Sequence, residues 1–362
     1  MALTGKGYFI WQIPNCENGV VDTIANLAQQ CGFTHILIKV ADGTYSYNVD
    51  SSGNDLVPPL VAALKARRIT VWGWHYIYGN YPAKEANKAI ERINNLGLAG
   101  YALDVEGEFK QAGKDEAAAL FMTKLRNALP DFPVALCSYR YPSYHAKVPW
   151  KIFLERCDYN MPQVYWEQAH NPGAQLTRSV SEFQAMTPYR PIIPVGSAYV
   201  RGSWAPTTAD ILEFLQTAQN LGLTAANFWE WSNTRRNLPD VWNTIRDYDW
   251  SNPLGPDMAQ QLVDAWNSHN ANQVTNLYAS NGVHVNSART VQGATAIYNW
   301  YQSLFSLLPQ ATFTLTSSQG SNSSRHFTWR AVSSAGSVDD GNDTLGILNG
   351  KIVYHFTYFS VN

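Results

Sequence analysis

Residues 98–109 read LAGYALDVEGEF. An apolar run through Tyr101, Ala102 and Leu103 delivers Asp104 and Glu106 and stops at Gly107. Side chains alternate along a strand, so Asp104 and Glu106 point to the same side, roughly 7 Å apart along the backbone. Two neighbouring carboxylates can hold unequal proton affinities, and acid/base chemistry on a glycosidic bond needs that inequality. The competing use of such acids is an ion pair, with Lys39 or Arg140 as the partner. Two acids on one face of a buried strand end are costly without a use, so chemistry is the stronger reading.

The elements around this strand must position it. Strands are predicted at 7–13, 34–40, 69–76, 98–106, 133–138, 158–166, 191–197 and 225–231. Helices are predicted between and after them at 20–30, 56–67, 82–95, 114–129, 150–155, 175–186, 207–220 and 238–247, with Thr207 or Thr208 as the cap of the penultimate one. Eight strands alternating with helices over about 250 residues is the arithmetic of a (β/α)8 TIM barrel, spanning 1–250. A doubly wound open sheet is the runner-up. Such a sheet carries a Gly-rich phosphate loop after its first strand, and the loop here is QIPNCENG, so nucleotide binding is disfavoured.

In a barrel the site lies at the C-terminal strand ends. These ends collect Trp11 and Gln12; Lys39 and Asp42; Trp74, His75 and Tyr76; Asp104, Glu106 and Glu108; Ser138, Tyr139 and Arg140; Gln163, Tyr165, Trp166 and Glu167; Ser197 and Tyr199; and Trp229, Glu230 and Trp231. Asp104 and Glu106 are the candidate catalytic pair. Trp11, Gln12, Trp74, His75, Tyr139, Gln163, Tyr165, Trp166, Glu167, Tyr199, Trp229, Glu230 and Trp231 are the candidate substrate-binding set. Acids, amides that bind hydroxyls and rings that stack on sugars are the parts needed for carbohydrate cleavage. Glu108 reads as a loop acid, Glu167 and Glu230 as secondary rim acids, and Lys39 as half of an ion pair. No convergent Ser/His/Asp set is present.

Composition agrees. Charged residues are sparse at 15%, while aromatics reach 13% with 13 Trp and 20 Tyr, the balance of a chain that stacks on sugar or fills a large core with rings. The formal net charge of −2 supplies no basic field for nucleic acid or an anionic membrane. Cys16, Cys31, Cys137 and Cys157 form no CxxC or Cys/His spacing, so neither a metal nor another cofactor is expected, and the pairing of Cys137 with Cys157 is left open. No stretch is long and apolar enough for a membrane span, and the N-terminus lacks the pattern of a signal peptide. A soluble protein is expected, with an exported form whose leader was removed remaining open.

The first domain resembles TIM-barrel glycoside hydrolases, and most of all the family 25 lysozymes (N-acetylmuramidases), on Asp104-Val105-Glu106 at the end of the fourth strand. Trp229-Glu230-Trp231-Ser232 is loosely similar to a late Trp-Gln-Tyr-Ser segment of those enzymes. The resemblance implies that Glu106 protonates the leaving oxygen. It implies that Asp104 assists the substrate's own N-acetyl group, in a polysaccharide such as peptidoglycan. The chain departs from the family on the first strand. There the family has an Asp in Gly-x-Asp-x-Ser, whereas Gly7 to Gln12 contain no acid. A barrel that binds sugar without cutting it is therefore the alternative.

After a Pro/Gly-rich break at 249–257 the grammar changes. Helices are predicted at 258–269, 271–279 and 294–307. Strands follow at 283–285, 311–317, 325–332, 345–348 and 351–359, with polar loops at 318–324 and 333–342 and an Asn349-Gly350 hairpin turn. This element order over 256–362 resembles the nuclear transport factor 2-like (SnoaL-like) α+β fold. The resemblance implies a cone with a pocket, serving either as a small enzyme or as a binding or dimerising module. His284, His326, His355, Tyr298 and Asp340 are its candidate polar residues. A C-terminal pocket that carries the main activity is a third reading.

Overall fold

The computed structural model of the chain describes residues 3–250, 257–320, 324–348 and 350–362. The chain divides into two compact units, Met1–Pro253 and Leu254–Asn362. Of the predicted break at 249–257, residues 251–256 lie outside the described residues, as do 321–323 of one predicted loop and Asn349 of the predicted hairpin turn.

The first unit is a closed barrel of eight parallel strands with helices outside. The strands are Gly5–Ile10, His35–Asp42, Thr70–Ile77, Gly100–Val105, Val134–Tyr139, Tyr159–Val164, Val195–Ser197 and Ala225–Trp229. Each pairs with the next, and the first pairs with both the second and the eighth, which closes the cylinder. The seventh strand is shorter than predicted. The predicted stretch before it holds two prolines, Pro191 and Pro194, which donate no ladder hydrogen bond, and only an isolated bridge from Ile192 to Asn160 precedes the strand.

Period-two alternation sorts every strand into two faces. Phe9, Leu37, Trp72, Trp74, Ala102, Ala135, Cys137, Met161, Val195 and Ala225 fill the lumen. Ile10, Ile38, Val71, Tyr101, Leu103, Leu136, Val164 and Phe228 meet the helices outside. In the fourth strand a Cβ on Gly100 would stand 2.1 Å from the Trp72 ring, so only glycine lets that indole cross the lumen floor. All four cysteines are free and buried, which answers the open pairing.

Caps hold the loops at the site end. Glu85 accepts from four successive backbone N–H groups, those of Tyr78, Gly79, Asn80 and Tyr81, and so fixes the loop after the third strand. Thr207 and Asp210 form a capping box on the helix Thr208–Asn220.

The second unit packs helices Met258–Asn267, Ala271–Thr275 and Ala294–Leu307 on a six-stranded sheet. Its core is aromatic, with Trp266, Tyr301, Phe313, Phe327 and Trp329 at the centre. Tyr278–Val285 runs parallel to Lys351–Tyr358, and the other pairings are antiparallel. Two expectations need correction. The second helix ends at Thr275 and a strand begins at Tyr278, so the predicted helix at 271–279 is shorter. The predicted polar loop at 333–342 is mostly strand, because Gly336–Leu348 pairs on both edges. Its polar composition hid the alternation. Val338, Gly341, Asp343 and Leu345 face inward, and Gly341 must be glycine because a Cβ would meet Trp329 at 2.4 Å.

Candidate functional site

Asp104 and Glu106 stand half-buried at the mouth of the lumen, at the end of the fourth strand. Gln163, on the sixth strand, donates from Nε2 to Asp104 Oδ1 at 2.9 Å. Gln163 and Tyr139 also hydrogen-bond Glu106. Burial pushes the Asp104 carboxyl well above the usual range, and the adjacent Glu106 charge adds to the shift. Burial raises Glu106 too, opposed by its hydrogen bonds from Gln163 and Tyr139. The two acids titrate as one unit that keeps a proton to higher pH than a free carboxyl would.

The cations named as competing partners are committed elsewhere. Lys39 Nζ meets Asp42 Oδ2 at 2.5 Å and lies over the rings of Tyr47 and Trp74 at 4.2 and 4.9 Å. Arg140 donates from Nη1 to the Tyr165 carbonyl. Among the described residues no ion pair includes Asp104 or Glu106. Glu108 is not a free loop acid. Tyr76 donates to its Oε2 at 2.9 Å, which places a third carboxylate beside the pair.

Parity decides the fate of the predicted binding residues. Trp74, Tyr139, Gln163, Tyr165 and Trp229 share the lumen-facing parity, and of these Tyr139 and Gln163 hydrogen-bond the acids. Trp229 packs on Phe9, Trp11 and Trp74 with centroids 5.7, 6.1 and 5.3 Å away. Trp11 is 43% exposed and forms the accessible edge of this aromatic wall. Gln12 lies beside it, with Nε2 3.3 Å from the Tyr47 hydroxyl. Tyr199 and Arg201 both donate to Glu167 at the rim.

Four predicted binding residues are corrected. His75 and Trp166 have the opposite parity and are fully buried against the helices. His75 donates from Nε2 to the Gly43 carbonyl at 2.8 Å, and burial lowers its pKa to about 4. Trp166 packs on Phe214 at 5.2 Å. Trp231 lies past the strand end, in the helix Trp231–Asn237, buried against Trp242 at 4.8 Å. Glu230 caps that helix, accepting from the Ser232 and Asn233 N–H groups at 3.1 and 2.6 Å. Its lone pairs are thus used by backbone and not offered to a ligand.

Tyr76, Glu108, Lys110 and His145 join the site without having been put forward as its ligands. The parity of Trp74 signals Tyr76, whereas Lys110 and His145 lie beyond strand ends, where no periodicity operates. Lys110 Nζ sits 4.0 Å from the Tyr139 ring centroid, and His145 stacks on the same ring at 3.7 Å. A cleft of about 440 Å3 beside them is lined by Tyr139, Arg140, Gln163, Tyr165 and Glu167, among others. No group of three metal-ligating side chains gathers among the described residues.

The C-terminal unit holds a second polar cluster. His355 donates from Nε2 to Asp343 Oδ2 at 2.5 Å, and Trp329 and Thr357 donate to Asp343 Oδ1 at 2.8 and 2.6 Å. Tyr278 donates to His355 Nδ1 at 2.5 Å and meets the Tyr301 hydroxyl at 2.8 Å. His284 packs on Trp300 with ring centroids 4.0 Å apart and lies 4.6 Å from His355, with no hydrogen-bond partner for either ring nitrogen among the described residues. Asp343, His355 and His284 are fully buried. Of the predicted candidates, His284 and His355 come together here. His326 instead meets Thr344, Tyr298 accepts from Gln302, and Asp340 is exposed and accepts from the Ser360 N–H. Asp343 escaped notice because it sat in the predicted loop. The alternation with Leu345 and Ile347 is the signal that finds it.

Comparison with known proteins bears on this second unit. No helix among the described residues is long and apolar enough to cross a membrane. No curated protein matches the chain. Solved structures similar to its C-terminal part include a protein with a ketosteroid isomerase-like fold from Catenulispora acidiphila, 18% identical over 29% of this chain and 86% of that one, with a TM-score of 0.26. An NTF2-like protein from Cytophaga hutchinsonii is 10% identical over 29% of this chain and 88% of that one, with a TM-score of 0.25. A SnoaL-like protein from Burkholderia thailandensis is 12% identical over 28% of this chain and 91% of that one, also with a TM-score of 0.25. Residues 259–355 match the SnoaL-like domain family, so the chain is a (β/α)8 barrel followed by a SnoaL-like, NTF2-like domain.

Proposed function

We propose that the barrel is a glycoside hydrolase acting on an N-acetylated polysaccharide such as peptidoglycan. The observation that supports this reading is the half-exposed Asp104–Glu106 pair. It holds a proton without a cationic partner, while Lys39 and Arg140 are engaged with other groups. Glu106 donates its proton to the leaving glycosidic oxygen as the bond from that oxygen to the anomeric carbon breaks. The substrate's acetamido oxygen then closes on the anomeric carbon, and Asp104, oriented by Gln163, bears on the acetamido N–H. Water opens the ring and returns the proton to Glu106. No acid on the first strand is required, because the substrate supplies its own nucleophile. Trp11 and Trp229 offer rings to the sugar faces. The SnoaL-like domain serves as an accessory binding or assembly module.

The test is release of reducing ends from peptidoglycan and from chitooligosaccharides by the full chain and by Glu106→Gln. Loss of about 1,000-fold or more in the variant, with its melting temperature retained, is expected for a general acid in such a step. Sugar binding without turnover in the unaltered protein supports the non-catalytic barrel instead. Cleavage that is unchanged in Glu106→Gln overturns the assignment.

A further inference from the structure

The turn that follows the acid pair comes back onto the site. Gly107–Lys110 is a single 3-10 turn, with Glu106 at its start and Lys110 at its end. Buried Phe109 anchors that turn, packing on Phe153 with ring centroids 5.3 Å apart. Both ends of the turn then meet one side chain, Tyr139 of the fifth strand. Its hydroxyl hydrogen-bonds Glu106, and a Cβ on Gly107 would stand 3.6 Å from that oxygen. Its ring takes Lys110 Nζ at 4.0 Å and stacks on His145 at 3.7 Å, with 20° between the planes. An ammonium and an imidazole that each lie this close to one ring centre would overlap on a single face, so they grip the phenol from opposite sides. Lys110 has no ion pair among the described residues, which leaves its charge to the ring and to Glu106. Burial and the Glu106 charge push the Tyr139 phenol up, so the hydroxyl keeps its proton and donates it to the hydrogen bond. Burial, Lys110 and Arg140 hold the His145 pKa below its ordinary value, so at neutral pH it stacks as an uncharged ring.

We propose that Lys110 and His145 are positioning residues that clamp the Tyr139 ring between them and so keep its hydroxyl donating to the Glu106 carboxyl. A cation over the ring draws electron density from the hydroxyl and makes it a stronger donor, which favours the ionised form of Glu106. Burial favours the protonated form. The balance sets the pH at which Glu106 releases its proton. Asp104, Glu108 and Lys110 bear on Glu106 from its own segment, Tyr139 and Cys137 from the fifth strand, Tyr165 from the end of the sixth and Tyr76 from the third. Lys110 is the one cation among them, since Lys39 bears on Asp104. The consequence for cleavage rests on the glycan-cleaving reading above, whereas the clamp stands on geometry.

Titration of the Glu106 carboxyl tests the clamp without turnover. It is followed by 13C NMR in the full chain labelled at glutamate, with the signal assigned by its loss in Glu106→Gln. Lys110→Met is expected to raise the Glu106 pKa by about one unit, and Lys110→Arg to restore most of the original value. Tyr139→Phe keeps the ring, removes the hydroxyl and should also raise the Glu106 pKa by about one unit. In that background Lys110→Met should add less than about half of its own shift. His145→Ala should raise the Glu106 pKa by about half a unit, and His145→Phe, which still stacks, should not. The His145 pKa should itself rise in Lys110→Met. A Glu106 pKa unmoved by Lys110→Met, or a change in melting temperature alone, overturns the clamp. A Lys110→Met shift of equal size with and without the Tyr139 hydroxyl overturns the route through Tyr139. Reducing-end release from peptidoglycan and chitooligosaccharides tells this apart from the fate of the glycan reading. Where the unaltered chain cleaves, the alkaline limb of its pH profile should move up in Lys110→Met by as much as the pKa does. Shifts of pKa in a chain that cleaves neither glycan keep the clamp and remove the glycan reading. Cleavage without those shifts does the reverse.

Discussion

Two clusters of similar composition have opposite fates in this chain. At the barrel mouth, Asp104 and Glu106 are served by the neutral groups of Gln163 and Tyr139 and by solvent. In the C-terminal domain, Asp343 receives three donors, from His355, Trp329 and Thr357, and is sealed from water. An acid whose lone pairs are filled by its own fold has nothing left for a ligand. An acid left short of donors keeps a proton and a face to offer. The comparison therefore supports the role proposed for the barrel pair, whereas the Asp343–His355 pair is occupied in holding the sheet and helices together.

The sharpest way to break that contrast is Asp343→Ala. Removing one partner of a sealed pair strands the other, so a loss of about 3–5 kcal/mol is expected in urea unfolding of the full chain. A loss below about 1 kcal/mol would return the cluster to the list of candidate sites. Within the barrel, Trp231→Ala should cost about 3 kcal/mol or more from the helix-facing core. Trp11→Ala should change stability by under about 0.5 kcal/mol while weakening oligosaccharide binding several-fold. Equal destabilisation by the two would erase the distinction between wall and core.

Acid sharpens the comparison further. His35 and His75 are buried, with pKa values lowered to about 4 by burial. The unfolded chain binds protons near pH 6.5 that the folded barrel refuses until about 4, so stability falls as pH drops through that window. The expected loss between pH 7 and 5 is about 2 kcal/mol per histidine. Replacement of His75 by Asn should flatten that part of the curve in thermal scans. Asp104 has the opposite sign. Its raised pKa means that the folded state holds a proton the unfolded state has released, so stability falls as pH rises above the ordinary carboxylate range. Asp104→Asn should raise the melting temperature by about 2 °C at pH 8 and leave it unchanged at pH 3.5. A gain at both pH values would mean that the proton is not held there.

Much of the fold was legible because it rests on local rules. Strand and helix alternation, the Thr207 cap and the helix Ala294–Leu307 all follow from short-range patterns. The seventh strand was overextended because its prolines were read as part of the strand, although they deny it ladder hydrogen bonds. The strand Gly336–Leu348 was missed because its outward face is acidic and polar, and its inward face includes Gly341 and Asp343. That Asp104, Glu106, Gln163 and Tyr139 lie next to one another was legible because strand parity is a sequence property. His75 and Trp166 were misplaced by disregarding that same parity. Glu230 and Trp231 were misplaced because a strand was extended into a helix.

By itself, the sequence determined the repeating strand–helix order, the acids at the end of the fourth strand and the change of grammar near residue 250. Each is written in spacing within a single element. Only the tertiary structure decided which cations were free to neutralise those acids. Lys39 is taken by Asp42 three residues away, but only closure of the barrel places Arg140 against the Tyr165 carbonyl. It alone brought Asp343 to His355 and Tyr278, because that cluster joins three strands whose pairing no local pattern encodes.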